Sequence, residues 1–285
     1  MIEYHNGKNL LRKNMDNISI VTAFYDIGRG DWTPDKGLPH YLQRSADVYL
    51  ERFKHLTKLH TDITVFTSSD LVEKVKGICV GCNAAVTVVP FDVIEQFSEM
   101  RKVIKDIQEK QSFIQRIHPS QMKNPEYWNQ DYVLVTNLKP LFPNIAIQNN
   151  LVKNDMVAWI DFGYCRSESN IPSSEKWNYN FNQEKIHLFS YKNYDGKSIE
   201  TIVGTNDVYI LGAKVVAHKK MWPEMLSLME KSFNKLLDID MVDDDQGLWL
   251  LSYLIKPESF ELHTIPDHQL GHDPFVLFNS FNETV

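Results

Sequence analysis

The chain has 285 residues, 43% hydrophobic and 24% charged, with a formal net charge of −7. That composition suits one sizeable soluble α/β core, and the acidic balance excludes a general nucleic-acid binder, which needs a dense basic surface. No window of about 20 apolar residues is present, so no transmembrane segment is expected; residues 1–17 lack the apolar core of a signal peptide and read as a polar N-terminal extension, which makes the cytoplasm the expected location.

Ile18–Phe24 (ISIVTAF) is a short β-branched apolar run, the pattern of a strand covered on both faces. It ends in YDIGRGDW, a loop with two glycines. Tyr41–Leu59 reads as a helix: Leu42, Ala46, Tyr49, Leu50, Phe53 and Leu56 recur at three and four, with Glu51, Arg52 and Lys54 on the other side. Ile63–Thr67 is a second strand, and Ser68, Ser69 and Asp70 suit the cap of a helix from Leu71 to Lys76. Ala85–Val89 is a third strand, closed by Pro90. Helical spacing continues around Phe97, Met100, Ile104 and Ile107, and Val133–Ile147 is helical in part, punctuated by Pro140 and Pro143. Val157–Ile160 is the next buried strand and runs into Asp161. Weak strands are expected at Ile186–Tyr191 and Ser198–Val203, another at Val208–Leu211, and helices at Lys219–Leu237 and Gln246–Ile255. Short β-α-β-α-β spacing predicts a mostly parallel α/β sheet with helices on both faces. Ligands of such sheets bind at the carboxyl ends of the strands.

Four signals bear on chemistry. In WIDFGY, Asp161 sits just past a buried strand, where a carboxylate meets a metal, a donor or a ligand, or caps a turn; Gly163 would allow close approach of a ligand. In Asp243-Asp244-Asp245-Gln246, one or two acids would cap the following helix, but three adjacent acids repel, so a cap alone explains the run poorly. Arg29 and Lys139 could neutralise a diphosphate, or be ordinary surface residues. His263, His268 and His272 fall close together near the end, as loop histidines or as an imidazole completing a cation site with Asp161. Cys79 and Cys82 form a CxxC with no second ligand pair, so they read as small half-buried residues. Dinucleotide, P-loop, kinase and GxSxG hydrolase motifs are all missing.

IVTAFYDIGRGDW, YLERFKHL, ITVFTSSD, NLKPLFPNIAI and VAWIDFGY together resemble the bacterial HtrL/YibB family, over roughly residues 18–275. That family is grouped with glycosyltransferases encoded among lipopolysaccharide-core genes. The resemblance implies a single GT-A-like domain over residues 18–285, a Rossmann-type half (18–165) for the nucleotide joined to an acceptor half (166–285). It also implies a metal–diphosphate site where Asp161-Phe162-Gly163 stands in place of DxD, with Asp161 and His272 as ligands of Mn²⁺ or Mg²⁺. Thr22, Ala23 and Phe24 would cradle the nucleoside, Asp70 would sit near the base, Lys139 would face the phosphates, and Arg29 and Gly163 would belong to the same donor site. Asp245 and Asp244 would serve the acceptor hydroxyl. A UDP-sugar is the favoured donor, and a glycan or lipid-linked acceptor would bring the protein to the inner membrane surface. The rival readings are a catalytically silent sugar-binding relative, a nucleotidyl- or phosphotransferase, and a scaffold using the aromatic segment Trp177–Phe181, which would otherwise be a lid.

Overall fold

Apolar runs that lack polar alternation are expected to be buried on both faces; Ser19–Phe24, Asp62–Thr67 and Met156–Ile160 are, whereas Ala85–Pro90, at the edge of the sheet, is partly exposed. A computed structural model describes residues 17–172, 176–265, 275 and 277. In chain order the elements are β1 (Ser19–Phe24), α1 (Ala46–Leu56), β2 (Asp62–Thr67), α2 (Val72–Ile78), β3 (Ala85–Pro90), α3 (Val93–Gln96), α4 (Ser98–Gln108), α5 (Gln111–Ile114), α6 (Gln130–Asn137) and α7 (Leu141–Gln148). There follow β4 (Met156–Ile160), β5 (Ile186–Ser190), α8 (Ile199–Thr205), β6 (Ile210–His218), α9 (Trp222–Leu237), α10 (Asp245–Ile255) and β7 (Phe260–Thr264).

The seven strands form one sheet in the order β3-β2-β1-β4-β6-β5-β7. Pairing is parallel except on either side of β6, which runs against β4 and β5. The expected mixed, mostly parallel sheet flanked by helices is therefore present. Alternate residues of one strand feed opposite cores, as the period of two requires. Val157 and Trp159 pack with α4, α6, α7 and α9, whereas Met156, Ala158 and Ile160 pack with α1 and α2. Reversal of β6 has a functional consequence: its start, Leu211-Gly212-Ala213, lies at the same end of the sheet as the carboxyl ends of β1 and β4.

Several expectations are corrected. α1 starts at Ala46, not Tyr41, because the preceding loop is committed elsewhere: the Leu42 carbonyl accepts from Arg29 Nε (3.3 Å) and Nη2 (3.2 Å), and the Arg44 amide donates to Arg29 O (3.2 Å). Ser68, Ser69 and Asp70 do not cap α2; Leu71 precedes it, and Ser69 donates instead to Asp92. Ser198–Val203 is not a strand. Its β-branched residues lie on α8, whose start is fixed by the Ser198 hydroxyl accepting from the Thr201 amide. β6 continues to His218, far past Leu211, and β7 adds an edge strand where a loop was expected. Trp177 and Phe181 are buried against each other, with Trp177 also on Phe275, so they are core rather than an exposed patch or lid. Cys79 and Cys82 are half-buried free thiols that donate to the carbonyls of Val75 and Ala84. His268 and His272 lie outside the described residues.

Candidate active site

A cavity of about 410 Å³ opens at the carboxyl ends of β1 and β4, within the size range of small-molecule sites. Its walls come from five places: the loop after β1, the loop after β4, the start of β6, the face of α6 running to Lys139, and the first turn of α10. Parts of α1 close the mouth through Tyr49 and Arg52. The distant Asp161, Lys139, Asp244 and Asp245 thus meet in one place, as do Ala23, Phe24, Arg29 and Gly163. Thr22 and Asp70 do not line it: Thr22 is fully buried within β1, and Asp70 is exposed in the turn after β2.

Lys139 is the hub. Its Nζ donates to Asp161 Oδ1 (2.8 Å), Asp245 Oδ2 (3.0 Å) and the Gly212 carbonyl (2.9 Å), using all three of its protons. Burial alone would lower its pKa, but the charges of Asp161 and Asp245 and the hydrogen bonds to both outweigh this and hold it above the usual lysine value. Asp161 also accepts from Trp159 Nε1 (2.9 Å), so the strand that aims it also fixes its rotamer.

The acidic wall is tightly fitted. Ideal Cβ atoms would lie 2.4 Å from Asp245 Oδ2 at Gly212 and 1.9 Å from Asp243 Oδ2 at Gly247. Two glycines thus vacate the space that two acids fill. Asp244 is the N-cap of α10, accepting from the Gln246 amide at 2.9 Å, with Tyr132 Oη at 3.5 Å. Burial pushes Asp244 up to about 7, reinforced by the neighbouring Glu126, which burial also raises to about 7. Asp245 is raised too, by burial first, against the pull of Lys139. Glu126 was missed from sequence, since nothing marks a lone glutamate in a polar stretch.

The cavity also carries guanidinium groups. Arg29 donates Nη1 to Tyr49 Oη (2.8 Å) and lies over the rings of Trp32, Tyr49 and Tyr132. Arg44, Arg52 and Arg166 line the same cavity and were not singled out by sequence. Gly163 lines the cavity, but the space a side chain would take there is filled by protein: an added Cβ would lie 2.5 Å from Tyr49 Cδ1. Gly163→Ala is therefore expected to destabilise the fold by about 1–3 kcal/mol through overpacking, read from urea denaturation, and to displace Tyr49 and its arginine.

Of the divalent-cation ligands implied by the resemblance, His272 lies outside the described residues, and Asp161 is already bound to the Lys139 ammonium and the Trp159 indole, so among the described residues it offers a cation no ready cage, and the Lys139 charge opposes a second cation beside it. Among the described residues the group of ligand atoms close enough to share a metal is His187, Glu261 and His263, on adjacent strands β5 and β7. In it, His187 Nδ1 and His263 Nε2 already share a hydrogen bond of 2.9 Å, with His187 Nε2 on Asn182 O. No helix among the described residues is long and apolar enough to cross a membrane.

Among solved structures, the chain is similar to mouse xyloside xylosyltransferase 1 in its apo form, with 11% identity, 87% of this chain and 85% of that chain covered, and a TM-score of 0.45. It is also similar to 4-diphosphocytidyl-2C-methyl-D-erythritol synthase from Anaerococcus prevotii, with 13% identity, 88% and 87% covered, and a TM-score of 0.38. At those scores neither assigns chemistry. Sequence kinship is much closer: Protein HtrL of Escherichia coli (strain K12) is 40% identical over 250 residues, covering 86% of this chain and 87% of that protein. Residues 16–281 match the family described as "Bacterial protein of unknown function (HtrL_YibB)". With that match spanning nearly the whole chain, the protein belongs to the HtrL/YibB family.

Proposed function

We propose that this protein is a GT-A-type glycosyltransferase that moves a sugar from a nucleotide-sugar, a UDP-sugar in the favoured case, to a hydroxyl of a cell-surface glycan precursor such as lipopolysaccharide core. One observation carries the reading: buried acids and four guanidinium groups line a single cavity at the strand ends. Glycosyl transfer needs both. Negative charge grows on the leaving diphosphate as the glycosyl–oxygen bond breaks, and fixed cations there lower the barrier. The acceptor hydroxyl needs a base on the far side of the anomeric carbon, and a carboxyl poised near 7 suits that task.

In this assignment residues 18–165 hold the nucleotide, with Ala23 and Phe24 beside the nucleoside, and residues 166–285 supply the acceptor wall. Asp244 takes the acceptor proton if transfer inverts the anomeric centre, while Asp245 and Asp161 hold Lys139 in place. The work belongs in the cytoplasm, at the inner membrane face when the acceptor is lipid-linked.

Thermal-shift titration against UDP-, GDP-, CMP- and dTDP-sugars, with and without Mn²⁺, tests the reading. A donor bound only by the folded state stabilises it by about 2.7 kcal/mol at a hundred times its dissociation constant. One nucleotide class is expected to raise the melting temperature, with or without Mn²⁺, and its turnover to survive chelation. Binding without turnover would favour the silent sugar-binding relative, and no shift with any donor would remove the transferase reading.

A further inference from the structure

Many lysines of this protein are paired. Lys54, Lys76, Lys110, Lys192, Lys219 and Lys256 each hold a carboxylate. With 37 acidic against 30 basic residues, partners are plentiful. Yet four arginines that line the cavity, Arg29, Arg44, Arg52 and Arg166, have no carboxylate partner among the described residues. Three separate segments bring them together: the loops flanking β1 and α1, α1 itself, and the loop after β4. They are close enough to feel one another. Arg52 is held below the usual arginine value by burial first and then by Arg44, Arg166 and Arg29.

Like charges assembled without counter-charge cost stability, and such an arrangement marks a site whose ligand supplies the missing charge. Guanidinium is the side chain whose planar fork matches phosphate oxygens two at a time. Arg29 is anchored on the Leu42 carbonyl and on Tyr49, so it is pre-positioned rather than free to swing. Arg52 lies against the Gly163 backbone, its Cδ 3.6 Å from where a Cβ would stand, which places the cluster beside Asp161. Lys139, already neutralised by two carboxylates, has no proton left for a ligand.

We infer that Arg29, Arg44, Arg52 and Arg166 form a binding site for a phosphate or diphosphate group that needs no divalent cation. The phosphate comes from the nucleotide donor or from a phosphorylated acceptor; its assignment to the donor rests on the transferase reading, whereas the anion site does not.

The probe is inorganic pyrophosphate, titrated calorimetrically into the full chain in EDTA. Binding is expected without metal and weakens as salt rises. Arg52→Gln combined with Arg166→Gln is expected to loosen it at least ten-fold, and Lys74→Gln, on exposed α2, to leave it unchanged. Arg166 is exposed, so Arg166→Gln alone keeps the test open if the double variant misfolds; a several-fold loss is expected of it. Displacement of pyrophosphate by UDP but not glucose 6-phosphate would identify the donor as the source, and the reverse pattern a phosphorylated acceptor. Absence of binding in EDTA, binding that appears only with Mg²⁺, or full affinity in the arginine variants would overturn the site. Pyrophosphate binding in a protein that turns over no nucleotide-sugar would sink the transferase reading and leave the site standing. Turnover that requires Mg²⁺ and survives both arginine changes would do the opposite.

Discussion

Lys139→Met is expected to cost about 3–5 kcal/mol of stability, the usual result of removing one partner from a buried ion pair. Methionine keeps the unbranched length, so the loss is one of charge rather than of volume. What remains is Asp245, 2% exposed, with Asp244 adjacent and no cation to offset either. The Gly212 carbonyl also loses its donor. The deficit depends on pH with a definite sign. A carboxyl whose folded-state pKa lies above its unfolded value contributes stability at low pH and loses it as pH rises through the folded value. Asp245 is raised already and rises further without Lys139. The variant is therefore closest to wild type near pH 5 and weakest near pH 8. Adding Asp245→Asn to Lys139→Met should recover much of the loss, since the two residues share one interaction. Urea denaturation of the wild type and the two variants at both pH values checks this. A deficit below about 1 kcal/mol that ignores pH would mean that Lys139 is not the hub its contacts describe.

How far the site could be read from sequence follows from what each residue's signal depends on. β1, β2 and β4 were legible because their apolar runs end abruptly in polar turns. Asp161 followed, as the residue next to a strand's end. The acids of α10 were legible as a run too charged for a cap. Their partner was not, because Lys139 is 106 residues from Asp245 and only the sheet's closure brings them together. Arg52 was placed on the solvent side of α1. Helical periodicity shows which stripe is apolar and says nothing of what covers the polar stripe, here the loop at Gly163. Thr22 and Asp70 were assigned by proximity to strand ends, but Thr22 lies deeper in β1 and is fully buried, and Asp70 belongs to a turn facing solvent. α8 was misread because β-branched residues weigh toward strands unless a cap such as Ser198 decides otherwise.

Asp244→Asn is expected to separate catalysis from folding. Asparagine caps a helix about as well as aspartate, so the bond from the Gln246 amide survives. The change removes a carboxyl that burial and Glu126 hold up at about 7. Below that value Asp244 is largely protonated and costs little; above it, the buried charge is exacted from the folded state. In the wild type this group's contribution falls as pH rises from about 4 through about 7, and the asparagine variant should lack that part of the slope. At pH 8 the variant should be as stable as wild type or more so. Turnover should move the other way. If Asp244 is the base of an inverting transfer, kcat should fall by about 10²–10⁴-fold, and the wild-type rise in kcat with pH through about 7 should vanish. Stability unchanged with kcat unchanged would assign the proton elsewhere, to Asp245 or to a retaining mechanism that needs no such base. A joint loss of stability and turnover would make the carboxylate a structural group that asparagine cannot replace at the start of α10, and the pH profiles of the two quantities, measured on the same variant, tell these outcomes apart.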